Sequence, residues 1–231
     1  MRVQSFLEHF PNTRAVSGCV QGVFFLRKKP LGILLSLCSN WKNALGWAVL
    51  LSVTVVAQQP LVRSGQVTAE GRALPYRVRH LPVNAFPELP EGVRAELERR
   101  NCLIPQTYQA HRPENVLHAS LEREGSEDWA ALCAVEGRVS LLVFFSDRTE
   151  PQELAVAEET DRLQLQASTG VLGFSWGIDP ASPEQVHEAQ AGLRPRPARL
   201  THDALADAVI DRRTVFHYFT GSRWTEAPLP E

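Results

Sequence analysis

The sequence predicts a single α+β domain built mainly on antiparallel β-sheet and preceded by an export signal. Three observations support this prediction. Runs of β-forming residues outnumber the helical patterns, several runs are joined by short turns, and the regular alternation of strands and helices that a parallel sheet needs is absent from the sequence. About three short helices are expected beside the strands.

The amino-terminal part of the chain has the pattern of a signal peptide. An uncharged run over 43–62 follows Lys42, and its apolar centre, 44–56, is about thirteen residues long. A helix needs roughly 20 apolar residues to cross a bilayer, so this centre is too short to span it and fits a signal-peptide core. We expect cleavage between Ala57 and Gln58, and a protein that is periplasmic or secreted.

The segment before this signal is longer than a signal peptide needs. Forty-one residues precede Lys42, and they include a second, weaker signal pattern in which a basic triplet at 27–29 precedes the apolar run 31–38. A start codon assigned too far upstream is the favoured explanation. Lipoprotein cleavage before Cys38 is disfavoured because Leu37 is large. An uncleaved amino-terminal anchor is the third alternative, and in that case the signal segment would hold the chain in a membrane.

The charge of the chain divides at the same place. Residues 1–57 contain six basic residues and one acid, a formal charge of +5. The following 174 residues contain 18 arginines, no lysine and 25 acids, a formal charge of −7. This acidic part lacks a basic stripe with interleaved aromatic residues, so nucleic acid is not an expected partner. Its length suits one domain, which we place at 89–231 after an irregular segment at 58–88.

Two of the four cysteines, Cys102 and Cys133, lie beyond the expected cleavage site. In an oxidising compartment two such cysteines pair, and this bridge would close a loop of about thirty residues. In the chain-entropy model it contributes roughly 3–4 kcal/mol. A redox or nucleophilic thiol is the alternative, but neither cysteine has a Cys-x-x-Cys partner.

The first elements of the mature part are one strand and one helix. Within the proline-rich segment 58–88 the pattern predicts a strand only at 76–80. A helix is predicted at 90–100, because it opens on a proline, apolar residues recur every four positions from Leu89, and Asn101 is a suitable stop.

The remaining strands follow from β-forming runs and alternating patterns. Three runs, 116–121, 129–135 and 138–145, are rich in β-formers, and Glu136-Gly137 predicts a hairpin between the last two. Further predicted strands are 153–157, 162–166, 172–178, 214–220 and 223–225.

Two more helices are predicted in the last third of the chain. The order Ser182-Pro183-Glu184 is that of an N-cap, a first-turn proline and a first-turn acid, and Gly192 ends this helix. Thr201 is the expected cap of a final helix that extends through Arg212.

An enzyme-like motif occurs at 173–177, where Gly-Phe-Ser-Trp-Gly matches the G-x-S-x-G nucleophile elbow. Asp203 or Asp207 and then His217 follow in the chain order of an α/β-hydrolase triad. This arrangement defines an alternative function, a small exported serine hydrolase with Ser175 as nucleophile, His217 as base and Asp203 as its orienting carboxylate.

Two features disfavour that alternative. The elbow must lead into a helix, whereas Pro180 follows Gly177 closely, and no parallel-sheet pattern surrounds the motif. We therefore favour a glycine-flanked strand in which Phe174 and Trp176 pack on one face and Ser175 lies on the other.

Acidic residues in the last predicted helix are the next candidates for a site. His202 precedes Asp203, Asp207 and Asp211, whose spacing of four places the carboxylates along one helix face. Acids also stabilise the first turns of a helix, and we favour a solvated acidic face. The other histidines lack ligand spacing, so neither a metal site nor a cofactor is predicted.

One part of the sequence resembles a known repeat. Residues 117–133, continued by 137–143, resemble the strand, acidic loop and strand of an FG-GAP or VCBS-type repeat. Such repeats form extracellular propellers, and their loop often holds calcium. This chain keeps Gly125 and Asp128, but it has glutamates and Arg123 in place of the alternating aspartates.

A wider set of motifs resembles a family of uncharacterised exported bacterial proteins. That resemblance implies export and a single domain, and it implies no activity. The matching pieces are Asn101-Cys-Leu-Ile-Pro-Gln106, Pro113-Glu-Asn-Val116, Asp128-Trp129 with Cys133, Thr201-His-Asp203, and His217-Tyr218-Phe219 before Trp224.

The sequence thus leaves two functions from different classes. The favoured one is an exported, non-catalytic domain that binds another protein or a cell-envelope glycan. It rests on the export signal, the expected disulfide, the lack of a convincing catalytic set, and strand aromatics such as Trp224. The alternative is the serine hydrolase that uses Ser175.

Overall fold

The computed structural model describes residues 60–69, 71–148 and 150–229. Of these residues, 47% lie in strands and 16% in helices of all kinds, so the predicted sheet-rich fold is confirmed. The described part contains two α-helices, α1 (Glu91–Arg99) and α2 (Pro183–Ala189), where three were predicted. The predicted signal peptide, its cleavage site at Ala57 and Gln58, and the segment before it lie outside the described residues.

The larger of two sheets contains nine strands, joined in the order β7-β6-β5-β3-β2-β9-β8, with β1 also paired to β2 and β4 also paired to β5. All these pairs are antiparallel except β2 with β9. The strands are β1 (Leu61–Ala69), β2 (Arg72–Pro82), β3 (Leu103–Gln106), β4 (Val116–Ala119), β5 (Asp128–Val135), β6 (Arg138–Phe144), β7 (Gln152–Glu158), β8 (Leu163–Leu165) and β9 (Leu172–Phe174).

The smaller sheet is a four-stranded antiparallel meander in chain order. Its strands are β10 (Trp176–Ala181), β11 (Ala204–Val209), β12 (Arg213–Phe219) and β13 (Trp224–Pro228). The predicted hairpin at 214–225 is therefore confirmed as β12 and β13.

Three apolar clusters arrange these elements in four layers. Alternate residues of a strand point to opposite faces, and in β5 Leu132 enters the cluster between the sheets while Cys133 enters the cluster beneath α1. Trp176 and Leu205 of the smaller sheet complete the central cluster. On the far side of that sheet, Val186 of α2 packs against its outer face. The order of layers is thus α1, the nine-stranded sheet, the four-stranded sheet and α2.

Helix α1 is confirmed, and the residues at its two ends account for where it begins and stops. Pro90, predicted as the first helical residue, is instead the N-cap, so the helix begins one residue later, at Glu91. At the other end Asn101 has φ 58°, and its backbone N–H donates to the Glu98 carbonyl while that of Cys102 donates to the Leu97 carbonyl. This pair of hydrogen bonds is a Schellman motif, for which Asn is a suitable residue.

Helix α2 is also confirmed. Ser182 and Gln185 form a capping box, in which the serine hydroxyl accepts from the Gln185 backbone N–H and the Gln185 side chain accepts from the Ser182 backbone N–H. The helix continues into a 3₁₀ turn over Gln190–Gly192, the predicted end.

The prediction that segment 58–88 is irregular outside a strand at 76–80 is wrong, although that strand is confirmed as part of β2. The segment contains β1 and β2, which form a long hairpin in unbroken register and join the nine-stranded sheet. β1 is exposed along most of its length and includes Gly65, over which the Tyr76 ring lies so closely that an added Cβ would be 2.7 Å from Cε1. Hydrogen bonding between β1 and β2 makes this segment a strand, and a local sequence pattern does not reveal such pairing.

The predicted final helix from Thr201 to Arg212 is also wrong. Its centre is β11, which pairs with β10 on one edge and with β12 on the other. Alanine has the highest helix propensity, but such propensities are small, and hydrogen bonding on both edges overrides them. Asp203, Asp207 and Asp211 therefore do not line a helix face, and Asp211, with φ 52°, lies in the turn after β11.

The predicted strand 172–178 is divided at Ser175. The residues before it form β9 of the larger sheet, and those after it form β10 of the smaller one. The backbone N–H of Ser175 donates to the Arg162 carbonyl, and its carbonyl accepts from the Ile210 N–H. The chain passes from one sheet to the other at this residue.

The remaining predicted strands and the predicted hairpin turn are confirmed, except that the strand predicted at 116–121 ends at Ala119. Glu136 and Gly137 both have positive φ, 51° and 96°, as a type I′ hairpin turn requires. Cys102 and Cys133 form a disulfide bond that joins the end of α1 to β5. Within the described residues no helix has the length and hydropathy to cross a membrane.

Candidate binding groove and the predicted site residues

Ser175 is a buried structural residue in this fold. Its side chain is 1% exposed, and its hydroxyl donates to the Arg162 carbonyl at 2.8 Å. Phe174 and Trp176 both enter the cluster between the sheets, as predicted for a glycine-flanked strand. The residue before the predicted nucleophile ends one strand and the residue after it begins another, so no helix follows as in a nucleophile elbow.

The other two residues of the proposed triad have different partners. Asp203 accepts a hydrogen bond from the Ser120 backbone N–H at 3.2 Å. His217 Nε2 lies 3.3 Å from Asp207 Oδ2, and its Nδ1 lies 3.6 Å from a carboxylate oxygen of Glu226. Among the described contacts, none joins Ser175, His217 and Asp203 into a relay.

Asp207 instead belongs to a polar cluster between the sheets. The indole N–H of Trp176 donates to Asp207 Oδ1 at 2.7 Å, and the guanidinium of Arg162 lies 4.3 Å from the centre of the Trp176 ring. Burial lowers the pKa of Arg162, and the nearby negative charge of Asp207 opposes that shift. The cluster satisfies buried polar groups and has no exposed reactive atom.

The loop that resembles a calcium-binding repeat is held by protein donors. Asp128 is 0% exposed, and its carboxylate accepts from the backbone N–H groups of Leu121, Glu122 and Ser146 at 2.9, 2.8 and 2.9 Å, and from the hydroxyl of Ser126. These donors use the lone pairs that calcium would require. Across the described residues, no group of three or more His, Cys, Asp or Glu side chains is arranged to hold a metal ion.

A groove of about 550 Å³ lies between α1 and the strands β5 and β6. This volume falls in the range of ligand sites, roughly 300–1,000 Å³. Helix α1 forms one wall, and aromatic residues of the strands and the loop after β6 form the floor. The lining residues are Pro90, Gly92, Val93, Ala95, Glu96, Arg99, Glu127, Trp129, Phe144, Phe145, Ser146 and Arg148.

The aromatic floor of the groove is fixed by stacking. Trp129 stacks on His118 with ring centroids 4.8 Å apart, and Phe145 stacks on Trp224 at 5.8 Å. Trp224, which the sequence suggested as a contact aromatic, is partly buried and donates its indole N–H to Gln152 at 2.7 Å. It supports Phe145 from behind and does not line the groove.

The charged rim of the groove is already paired. Glu96 accepts from Arg99 and Arg100, both at 2.7 Å, and these hydrogen bonds and charges lower its pKa from 4.5 to about 2. Glu127 lies 2.7 Å from His118 Nε2, and Arg148 donates to Glu122 at 2.7 Å.

Sequence reasoning missed this groove. Val93 belonged to the apolar stripe of the predicted helix and Trp129 to a predicted strand, so each residue was explained as core. A tryptophan at the start of a strand, directly after an acidic loop, was the available signal, but only the tertiary structure shows which helix lies beside it. The fold and the groove together define a disulfide-bridged, four-layer domain with a preformed groove lined largely by apolar and aromatic residues.

Comparisons of this chain with protein-family models, with curated proteins and with solved structures found no match.

Proposed function

We propose that this protein is an exported, non-catalytic domain that binds a polypeptide segment in the groove beside α1. The observation that carries the proposal is the preformed groove, whose floor is aromatic and whose rim charges are paired within the protein. A ligand that inserts an apolar side chain gains most from such a surface, because the rim offers few free charges to recognise.

Export is supported by two independent features. The sequence carries a signal-peptide pattern that ends at Ala57, and the folded part contains a disulfide bond between Cys102 and Cys133. Structural disulfides persist in oxidising compartments and are rare in the cytosol. The protein would therefore act in the periplasm or outside the cell.

A polypeptide fits the groove better than a cell-envelope glycan does. Sugars present hydroxyl groups, which need free donors and acceptors, whereas Val93, Ala95 and the aromatic floor present mainly apolar surface. An amphipathic segment that places an aromatic or leucine side chain against Trp129 buries that surface and leaves its polar backbone at the rim.

The test is selection of random displayed peptides on the intact, oxidised protein. We expect enriched peptides to share an apolar anchor residue. Ala95 is exposed on α1 and lines the groove, so Ala95→Arg fills the site without disturbing the core. This variant should weaken the binding of a synthesised peptide at least about tenfold, or about 1.4 kcal/mol. Binding is measured by fluorescence polarisation.

A matched control separates the groove from the rest of the surface. Ala167 is exposed in the turn after β8, and Ala167→Arg adds the same side chain away from the groove. Peptide binding should survive this change. Equal weakening by both variants would contradict the proposal. A second contradictory outcome combines two results: no groove-dependent peptide is selected, and peptidoglycan fragments bind in a way that Ala95→Arg weakens. That outcome would identify a glycan site instead.

A further inference from the structure

A second cavity, of about 310 Å³, opens on the nine-stranded sheet. Its walls come from β2, from the connection between β3 and β4, and from the turn between β8 and β9. It shares no lining residue with the groove beside α1. The residues that line it are Val62, Arg77, Arg79, Gln106, Thr107, Tyr108, Ala110, Gln166, Thr169 and Val171.

Two arginines give this cavity a net positive charge. Arg77 and Arg79 are two residues apart on β2, so their side chains extend from the same face of the strand. No acidic side chain is among the described residues that line the cavity. Two like charges that share a site repel each other, and an anion between them would remove that repulsion.

The two arginines differ in how they are held. Arg79 donates to the Ala110 carbonyl at 3.1 Å, which fixes its guanidinium against the wall and leaves its other N–H groups available. The guanidinium of Arg77 makes no hydrogen bond or ion pair with any residue that the structure describes. The cavity thus combines one positioned guanidinium with one that is unpaired.

The walls are held together at Gly173. A Cβ at this residue would lie 2.4 Å from the Gln166 side-chain nitrogen and 2.5 Å from the Tyr108 Cβ, so only glycine lets these two side chains come so close. Tyr108 is further tied to the same strand by its backbone N–H, which donates to the Phe174 carbonyl at 2.8 Å. Gly173, the first glycine of the Gly-Phe-Ser-Trp-Gly motif, is therefore needed for the close packing of a cavity wall.

Neutral hydrogen-bonding groups surround the arginine pair. Thr107, Tyr108, Gln166 and Thr169 line the cavity beside it. The Gln106 side chain is not free to bind a ligand, because its amide exchanges hydrogen bonds of 2.9 Å with the backbone of Glu114. These hydrogen bonds fix the connection between β3 and β4, which includes Thr107 and Tyr108.

We propose that this cavity binds an oxyanion, the carboxylate or phosphate group of a ligand, between Arg77 and Arg79. Guanidinium groups bind such anions through paired N–H donors, and the hydroxyl and amide groups beside them contact the rest of the ligand. The site is separate from the peptide groove and does not depend on the function proposed for it.

The experiment titrates the intact protein at low ionic strength with inorganic phosphate, with galacturonate and with neutral galactose. We expect phosphate or galacturonate to bind and galactose to bind at least about tenfold more weakly. Arg77→Gln should weaken anion binding at least about tenfold. Arg77→Lys should recover only part of it, because lysine restores the charge without the paired donors. Calorimetry measures the affinities.

Arg72→Gln is the matched control, since Arg72 is exposed on the same strand and does not line the cavity. It should leave anion binding unchanged, and so should Ala95→Arg in the peptide groove. Tighter binding of phosphate identifies a phosphorylated ligand, and tighter binding of galacturonate identifies an acidic sugar. Binding of neither anion overturns the proposal, as does an equal loss in Arg72→Gln, which would show attraction to surface charge alone.

Discussion

The indole N–H of Trp176 donates a 2.7 Å hydrogen bond to Oδ1 of Asp207, and both residues are buried. They lie on neighbouring strands, where the direct partner of Asp207 is Ile178, so the hydrogen bond runs diagonally between β10 and β11. The other carboxylate oxygen lies 3.3 Å from His217. One carboxylate therefore joins three strands of the smaller sheet where that sheet faces the central core.

Replacement of Asp207 should destabilise the protein through these lost contacts. Asp207→Ala leaves the Trp176 N–H and a His217 nitrogen buried without their partner, and we expect the free energy of unfolding to fall by about 1–3 kcal/mol. Urea denaturation measures the change. Asp147→Ala, which removes an exposed carboxylate in weak ion pairs, should change stability by less than about 0.5 kcal/mol. Similar effects of both changes would show that the buried hydrogen bond contributes little.

The loop held by Asp128 should depend on that carboxylate and not on calcium. Asp128→Ala leaves several buried donors unsatisfied, and we expect a loss of at least about 3 kcal/mol of stability. Glu124→Ala, an exposed change in the same loop, should be nearly neutral. Thermal unfolding of the unaltered protein should be the same with calcium and with a chelator. A rise in Tm with calcium would instead support a metal-binding repeat.

The two glycines of the serine motif should respond differently to alanine. At Gly173 a Cβ meets Tyr108 and Gln166 within 2.5 Å, so Gly173→Ala should cost about 1–3 kcal/mol. At Gly177 the nearest atom is 3.6 Å away, an ordinary contact, and Gly177→Ala should be tolerated within about 0.5 kcal/mol. Chemical denaturation of the pair tests this. Equal costs would mean that close packing at Gly173 is not the reason for its glycine.

Removal of the disulfide should lower stability without changing the fold. The bond between Cys102 and Cys133 spans a sequence separation of 31, and the loss of this constraint should cost roughly 3–4 kcal/mol. The double variant Cys102→Ala, Cys133→Ala should match the reduced, unaltered protein in urea denaturation. A variant as stable as the oxidised protein would contradict the prediction.

Stability should also fall in acid because of Glu96. Its pKa is lowered in the folded protein from 4.5 to about 2, so its contribution is fully present above the unfolded pKa and is lost as the pH falls from about 4.5 toward 2. Glu96→Gln should therefore reduce stability at neutral pH, by about 1 kcal/mol or less, because the side chains of Arg99 and Arg100 are 68% and 35% exposed and solvent screens both ion pairs. The difference from the unaltered protein should vanish near pH 2. Glu98→Gln, an exposed change on the same helix, should show no such pH dependence.

Sequence signals predicted local structure correctly where the structure depends only on residues close together in the chain. The stop at Asn101, the cap at Ser182 and the hairpin turn at Glu136-Gly137 each depend on a few neighbouring residues, and each is confirmed. β11 was predicted as part of a helix capped by Thr201, whereas pairing on both edges makes it a strand. The spacing of its aspartates consequently carried no information about a site.

The site was less accessible to sequence reasoning than the fold. Ser175, Asp203 and His217 stand in the chain order of a triad, but order in the chain says nothing of distance, and each has another partner in the structure. The alternation of Arg77 and Arg79 with other residues is ordinary for a strand, so the sequence alone does not indicate a site there. Their cavity exists because two distant loops pack against β2.

The sequence by itself determined the sheet-rich class, the stop of α1 at Asn101, the cap of α2 at Ser182, the hairpin turns and the cysteines available to pair. These follow from backbone preferences and hydrogen bonds between near neighbours. Only the tertiary structure decided which strands pair, that the chain changes sheets at Ser175, and where the groove and the arginine cavity lie. Such features arise from contacts between residues far apart in the chain, and their energy depends on burial and partners that no local pattern specifies.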